Sequence, residues 1–398
     1  MGRDARVNLL IGTGHFLSHF YVLCLPPLIV VWRDEFEVSY ALLGLAPALM
    51  SGVTAVLQTP VGFLVDRHGA RRFLVGGTLL MTLAMAAMGL ATAYWQILAL
   101  AVISGIGNSV IHPADYAILS GSVNKERMGR AFALHTFNGN LGFAAAPPVM
   151  AALLLAMGWR SSLLLVGGIG IPLVATILWQ SRILNDQTRP AHAYTGAAIS
   201  GRALLMTRPM LMFFAFFMLS SMAGAGVQSW LITVLHQVQG VALAAAASAL
   251  TGYMAGATAG TLVGGYVADR ITRHLTFASA LTVVSAVLIL GVALLRLPDA
   301  AVIGLLFASG LALGASRTPR DIMVKDAAPP GQIGKVFGFV SAGLPLGGAI
   351  TPVPFGYLID SGHPELVLIV VAALLLLSLL CAGTARAAAL TAEVVPAE

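Results

Sequence analysis

Charge is scarce in this chain. Asp, Glu, Lys and Arg make up 10% of its 398 residues, hydrophobic residues make up 58%, and the mean hydropathy is +0.89. That balance excludes a water-soluble globule and requires an integral membrane protein. Cysteine is nearly absent. Cys24 and Cys381 lie in apolar runs far apart in sequence, which excludes a disulfide framework and a cysteine metal cluster. The sequence has no Walker phosphate loop, no metal-ligand set and no nucleophile constellation, so neither an enzyme nor an ATP-driven pump is expected. Long polar stretches are missing too, and no soluble domain remains to be placed. The net charge of +6 is explained by where the basic residues fall, and a nucleic-acid partner is not expected.

What is present is a succession of apolar runs. A helix needs roughly 20 mainly apolar residues to cross the hydrocarbon layer. On that rule the first half divides into crossings near 7–32, 40–65, 73–94, 97–120, 129–157 and 162–183. The first run has no small-residue cleavage site followed by soluble sequence, so it is expected to stay as a helix. A polar interval, 184–208, then links the halves, and six more runs follow near 209–236, 243–268, 274–296, 300–322, 334–359 and 365–385. The expected domains are therefore 1–183, a linker 184–208 and 209–398.

Basic residues give the orientation. With the N-terminus inside, the cytoplasmic segments hold Arg3, Arg6, Arg67, Arg71, Arg72, Arg130, Arg182, Arg208, Arg270 and others, whereas the opposite side holds Arg33, Arg160 and Arg296. The positive-inside rule then puts both termini in the cytoplasm. Trp32, Tyr94, Trp95 and Trp159 fall at the predicted outer ends, where amphipathic rings prefer to sit.

Between the second and third runs lies a dense charged turn carrying Gly62, Leu64, Asp66, Arg67, Gly69, Arg71 and Arg72. Gly62 would let helices approach closely, Asp66 would accept from orphan amides at a helix start, and Gly69 would supply a turn. The arginines would hold this edge in the cytoplasm, or serve as topology charges alone. The phrase returns in reduced form as Gly265, Asp269 and Arg270, and the repeat extends to Gly105 with Gly310, Pro113 with Pro319 and Gly142 with Gly347, at an offset of 203 to 206. Two parallel six-helix halves put a cavity near the midplane where they meet, and rocking of one half on the other alternates its access.

This charged turn and its echo resemble the signature of the major facilitator superfamily. The resemblance implies an all-α membrane fold of twelve transmembrane helices in two pseudo-symmetric six-helix halves. It further implies that the first, fourth, seventh and tenth helices line the cavity.

Ionisable groups inside a membrane cost about 2.5–3.5 kcal/mol each at a helix centre, so each needs a reason. His15 and His19 lie one turn apart on a face shared with Asn8 and Gly12. The fourth run carries Ser104, Asn108, His112 and Asp115 at helical spacing, and its counterpart carries Arg317, Arg320 and Asp321. The fifth offers His135 and Asn138, and the seventh Gln228. Histidine changes charge near working pH. His15, His19, His112 and Asp115 are therefore the expected proton relay, while His19, Asn108, His135, Asn138, Gln228, Arg317 and Arg320 are expected to meet substrate. There are structural alternatives. His112 could satisfy the Ser109 carbonyl freed by Pro113, and Asp321 could neutralise Arg317 one turn earlier. The Gly252, Gly256, Gly260, Gly264 ladder is expected to pack within the chain, leaving a monomer.

Within the superfamily, Gly14-His15-Phe16-Leu17-Ser18-His19 and Ile111-His112-Pro113 resemble the fosmidomycin-resistance group of drug exporters. The chain departs from that group at His19 and at Ala114, where acids are usual, and Asp115 stands one position later. Gly139, Gly142 and the Pro147-Pro148 pair are similar to part of the fifth-helix antiporter motif. The resemblance implies a secondary active transporter in the cytoplasmic (inner) membrane, with no cofactor beyond a coupling proton, exporting a small organic molecule, anionic or neutral. Proton-coupled uptake of an organic acid and a non-transporting receptor of the same fold are the alternatives. One charge crossing 100 mV is worth about 2.3 kcal/mol, enough to sustain a roughly fifty-fold gradient, so one titrating site suffices.

Overall fold

A computed structural model describes residues 2–123, 128–184, 206–268, 270–327, 336 and 339–394. Among them the helices are α1 (Arg3–Cys24), α2 (Pro26–Phe36), α3 (Tyr40–His68), α4 (Ala70–Met88), α5 (Tyr94–Asn108), α6 (Ile111–Ser122), α7 (Met128–Gln180), α8 (Arg208–Gln239), α9 (Leu243–Ala268), α10 (His274–Leu294), α11 (Asp299–Asp326), α12 (Gly343–Ile350), α13 (Pro352–Asp360) and α14 (Glu365–Val394). No strand occurs among the described residues.

Ten stretches are helical and apolar enough to cross a membrane, and they account for eleven crossings. The longest, of 50 residues, is two crossings joined at Gly158, whose φ of 73° turns the chain where other residues would be strained. Leu243–Ala268 supplies the twelfth; its 26 residues are long enough, but its many glycines and alanines dilute the hydropathy. Prolines set the kinks. α1 runs into α2 at Pro26-Pro27, α5 into α6 just before Pro113, and α12 into α13 at Pro352, so these pairs are single bent crossings.

The repeat has a direct structural counterpart. A Cβ on Gly105 would lie 2.7 Å from the Met50 carbonyl oxygen, and one on Gly310 would collide with that of Tyr253, the matching residue 203 positions on. Gly142 meets the Phe16 carbonyl just as Gly347 meets that of Met218. The same glycine therefore seats the same pair of helices in each half, and the two halves are pseudo-symmetric.

The glycine ladder packs inside the chain. Cβ atoms on Gly256, Gly260 and Gly264 would strike the carbonyls of Phe307, Leu311 and Ala315 on α11, and Gly310 and Gly314 return the contact against α9. A Gly260→Val variant is expected to lose most of its folded yield, since backbone cannot step aside as a side chain can. Detergent-solubilised monodisperse protein measured by gel filtration checks this; a wild-type yield would mean that the two helices do not need this approach.

Two expectations change. Among the described residues no atom lies within 4 Å of where a Gly62 Cβ would be, and Gly265 has Thr318 Oγ1 at 3.9 Å, so no described residue closely approaches either glycine of the charged turn. That role belongs to the ladder and to Gly105 and Gly310. Trp32, Tyr94 and Trp159 do not face the membrane boundary: their rings lie about 6 Å apart at 1–5% exposure, and only Trp95, 67% exposed, sits where an interfacial ring would. The crossings there pack closely enough to enclose large rings, and burial outweighs interfacial preference. The expectation for Asp269, and most of the linker, lie outside the described residues, as do Lys125 and Arg127. The chain around Asp66 is helical, Arg67 is exposed, and Gly69 has φ 90° at the start of α4, a conformation that favours glycine.

The halves join firmly at the end of the bundle opposite the start of α1. There the Asp360 carboxylate, at the end of α13, accepts hydrogen bonds from the amides of Tyr40 and Ala41, each 2.8 Å long. Ser39 Oγ accepts from the Leu42 amide at 3.1 Å, and Gln237 Nε2 donates to the Tyr40 hydroxyl. The first turn of α3 is thus satisfied partly by its own cap and partly by the other half of the protein.

Candidate functional site

Two chemically distinct sets of side chains lie near the contact between the halves. One is a buried imidazole cluster in the first half. His15, on α1, donates from Nδ1 to the His135 carbonyl at 2.8 Å, and the two rings stack with centroids 3.8 Å apart. That bond fixes the tautomer of the neutral ring, and His15 Nε2 has no hydrogen-bond partner among the described residues. His19, one turn along, meets the His15 ring edge-on at 4.3 Å, and His112, from α6, meets it at 5.1 Å.

The carboxyl of Asp115 completes the set. It is wholly buried, and its Oδ2 lies 3.6 Å from His135 Nδ1, within ion-pair range but beyond a hydrogen bond. Tyr116 packs against both His112 and His135. A charge on Asp115 would be costly here unless an imidazole beside it carried the opposite one.

The fold builds the cluster through a missing side chain. A Cβ on Gly139 would lie 2.5 Å from His15 Cε1 and 2.7 Å from His19 Nδ1, so only glycine lets α7 pass over these rings. Gly12 similarly makes room for the Asn138 amide. Of the antiporter-like residues singled out by resemblance, Gly139 thus has a specific steric task.

The imidazoles of His15, His19 and His112 place ligand-type atoms within 4.8 Å of one another. Tetrahedral nitrogens at 2.0–2.1 Å from zinc would stand about 3.4 Å apart, so the rings would have to draw together to hold such an ion.

The second set lines a cavity of about 430 Å³ between the halves. Its walls include Pro47 and Ser51 from the first half and Gln228, Ser229, Tyr253, Ser316, Arg317 and Arg320 from the second. Arg320 is already engaged: its guanidinium binds Asp321 Oδ1 at 3.0 Å and lies over the Phe217 ring, 4.1 Å from the centroid. Asp321 therefore contacts Arg320 directly, because that side chain is held beside it by the ring, and acts on Arg317 only at a distance. Arg317 has no hydrogen-bond or ion-pair contact among the described residues, so it is the free cation of the cavity.

Phe143 links the two sets. It stacks on His19 with centroids 4.0 Å apart, and it also lines the cavity. This aromatic carries no ionisable signal, and sequence reasoning passed over it; its position one turn beyond Gly139 was the available clue.

Of the residues expected to meet substrate, Gln228, Arg317 and Arg320 line the cavity, and His19 is separated from it by Phe143. His135 is enclosed in the cluster, and Asn138 sits over Gly12. Asn108 donates to Thr54 Oγ1 at 3.2 Å, bracing two crossings. Residues of the fourth crossing are missing from the lining, although the resemblance implied them; those of the first, seventh and tenth are present. His112 makes no hydrogen bond to the Ser109 carbonyl among the described residues, so repair of the backbone before Pro113 is not its role.

Comparison with known proteins agrees with this architecture. The family model described as Major Facilitator Superfamily matches residues 11–250 and 234–394. The chain is 26% identical to the fosmidomycin resistance protein of Escherichia coli K12, over 93% of this chain and 90% of that one. It is 27% identical to the probable L-galactonate transporter of the same organism, over 61% of this chain and 56% of that one. Against the latter, the chain spans little more than half the relative's length. Its backbone superposes on a bacterial homologue of the human lysosomal transporter Spinster with a TM-score of 0.77, at 15% identity and 98% coverage of both chains, a likeness of fold alone. With a family match over nearly the whole chain and a repeat visible in its packing, this protein belongs to the major facilitator superfamily.

Proposed function

We propose that this chain is a proton-coupled exporter that carries a small organic anion out across the cytoplasmic membrane, acting as a monomer with both termini in the cytoplasm. The observation that carries the reading is the adjacency of two sets through one ring. A cavity with a free arginine lies on one face of Phe143, and a buried His15, His19, His112, His135 and Asp115 cluster lies behind it. A substrate anion paired with Arg317 and a proton held on the cluster are close enough to sense each other, so one can displace the other between the two facing states. The serines and Gln228 of the cavity supply donors for an oxygen-rich molecule.

The name of the E. coli fosmidomycin resistance relative suggests a phosphonate as the first cargo to test. In cells stripped of their main exporters, the protein is expected to lower accumulation of labelled fosmidomycin, and a protonophore is expected to restore it. Higher accumulation that the protonophore abolishes would reverse the direction and favour uptake of an organic acid, the reading that the probable L-galactonate transporter supports.

Arg317 separates binding from coupling. An Arg317→Gln variant in proteoliposomes is expected to raise KM for the anion about 10- to 100-fold, the loss of a charge-assisted hydrogen bond, with kcat nearly unchanged. An unchanged KM would remove Arg317 from the substrate site.

A further inference from the structure

A third feature lies outside both sets. On the flank of the first half, at the end where α1 begins, the start of α4 and the end of α7 enclose a cleft of about 790 Å³ lined by Arg71, Arg72 and Arg182 together with Val75, Leu178 and Trp179. None of the lining residues is acidic, and none of the three guanidinium groups has an ion-pair partner among the described residues. The three guanidinium groups bring like charge to one cleft, and an anion held there would balance it.

The surroundings select the kind of anion. Trp179 is 81% and Leu178 59% exposed, and Leu83 on α4 and Ile171 on α7 continue an exposed apolar face away from the arginines. From Arg182 back to Ile171 is about 16 Å along a helix, the scale of an acyl chain. The flank therefore offers a phosphate-binding fork at the membrane boundary and a greasy wall leading from it. A free phosphate would use only the first. We propose that this cleft binds the headgroup of an anionic phospholipid whose acyl chains lie along α4 and α7. The bound lipid fixes the third crossing against the sixth beside the charged turn. This site is independent of the cargo and of the direction of transport.

Native mass spectrometry of the detergent-purified full chain, titrated with phosphatidylglycerol, phosphatidylethanolamine or inorganic phosphate, tests the proposal. Phosphatidylglycerol is expected to be retained at least several-fold more tightly than phosphatidylethanolamine. Each arginine near an anionic lipid is worth about a five-fold change in affinity, so Arg182→Gln should weaken retention about five-fold and Arg72→Gln with Arg182→Gln about twenty-five-fold. Arg182→Lys, which keeps the charge, should fall between wild type and Arg182→Gln and serves where the glutamine variant folds poorly. Equal retention of the two lipids, or wild-type affinity in the variants, would overturn the site. Displacement of phosphatidylglycerol by inorganic phosphate would also overturn it, making the cleft a site for a soluble anion.

Discussion

Replacing His19 with alanine is expected to cut flux driven by a proton gradient by about 100-fold or more, the scale on which removal of a positioned proton carrier acts. His15, His135 and Asp115 are 0–3% exposed, whereas His19 is less deeply enclosed and lies against Phe143, the ring that lines the cavity. His19 is thus the cluster member best placed to feel whether an anion occupies the cavity. Without that ring, no imidazole stacks on Phe143 to connect the rest of the cluster with the cavity. Two measurements in proteoliposomes separate loss of coupling from loss of fold. Flux under an imposed pH gradient should collapse, while exchange of labelled for unlabelled substrate at equal pH should persist. A variant still driven by the gradient would take His19 out of the relay. Loss of both activities in well-folded protein would make it a binding residue instead.

How much of this was legible beforehand depended on whether the signal was local. Crossings are read from runs of apolar residues, and the glycine ladder from its four-residue spacing; both depend on one stretch of chain at a time. The repeat was visible because its matched positions are steric: Gly105 and Gly310 each sit against the backbone of a neighbouring helix, so no larger side chain fits. The cost of putting ionisable groups into a membrane singled out His15, His19, His112 and Asp115, and the structure places them together, but it also encloses His135 with them, a residue expected at the substrate. What escaped was pairing. Asp321 has Arg317 one turn before it and Arg320 directly before it, and Phe217, on a different crossing, is what holds Arg320 beside it. Asn108 looked like a cavity residue on its own helix, but Thr54 lies across from it. Gly62 and Asp66 sit in a motif whose spacing is conspicuous, yet close approach in this fold is made by other glycines. Sequence spacing identifies which groups share a face; it does not say what that face meets.

Asp360 is the clearest case of a contact invisible to local pattern, and it carries the second large effect. Its carboxylate accepts from amides 319 and 320 positions away, across the joint between the halves. Those bonds exist only while that end of the bundle is shut, because rocking the halves apart would return both amides of α3 to solvent. Asp360→Ala is therefore expected to destabilise the shut state by about 1–2 kcal/mol, the scale of a lost helix cap at a partly exposed position, and so to shift the balance toward opening roughly 5- to 30-fold. Asp360→Asn keeps one acceptor oxygen and should fall between alanine and wild type. Spin labels placed across this end, one on each half, with Cys24 and Cys381 replaced by serine, would read the shift as a longer distance population. Unchanged distances in both variants would mean that apolar packing, at Gly44 against Pro352 and Gly356 against Tyr40, holds the end shut unaided. If the shift is seen, affinity for substrate offered from the side of the chain's termini should fall in proportion to the population lost, because a site reached only in the shut state is weakened by the fraction of molecules that leave it.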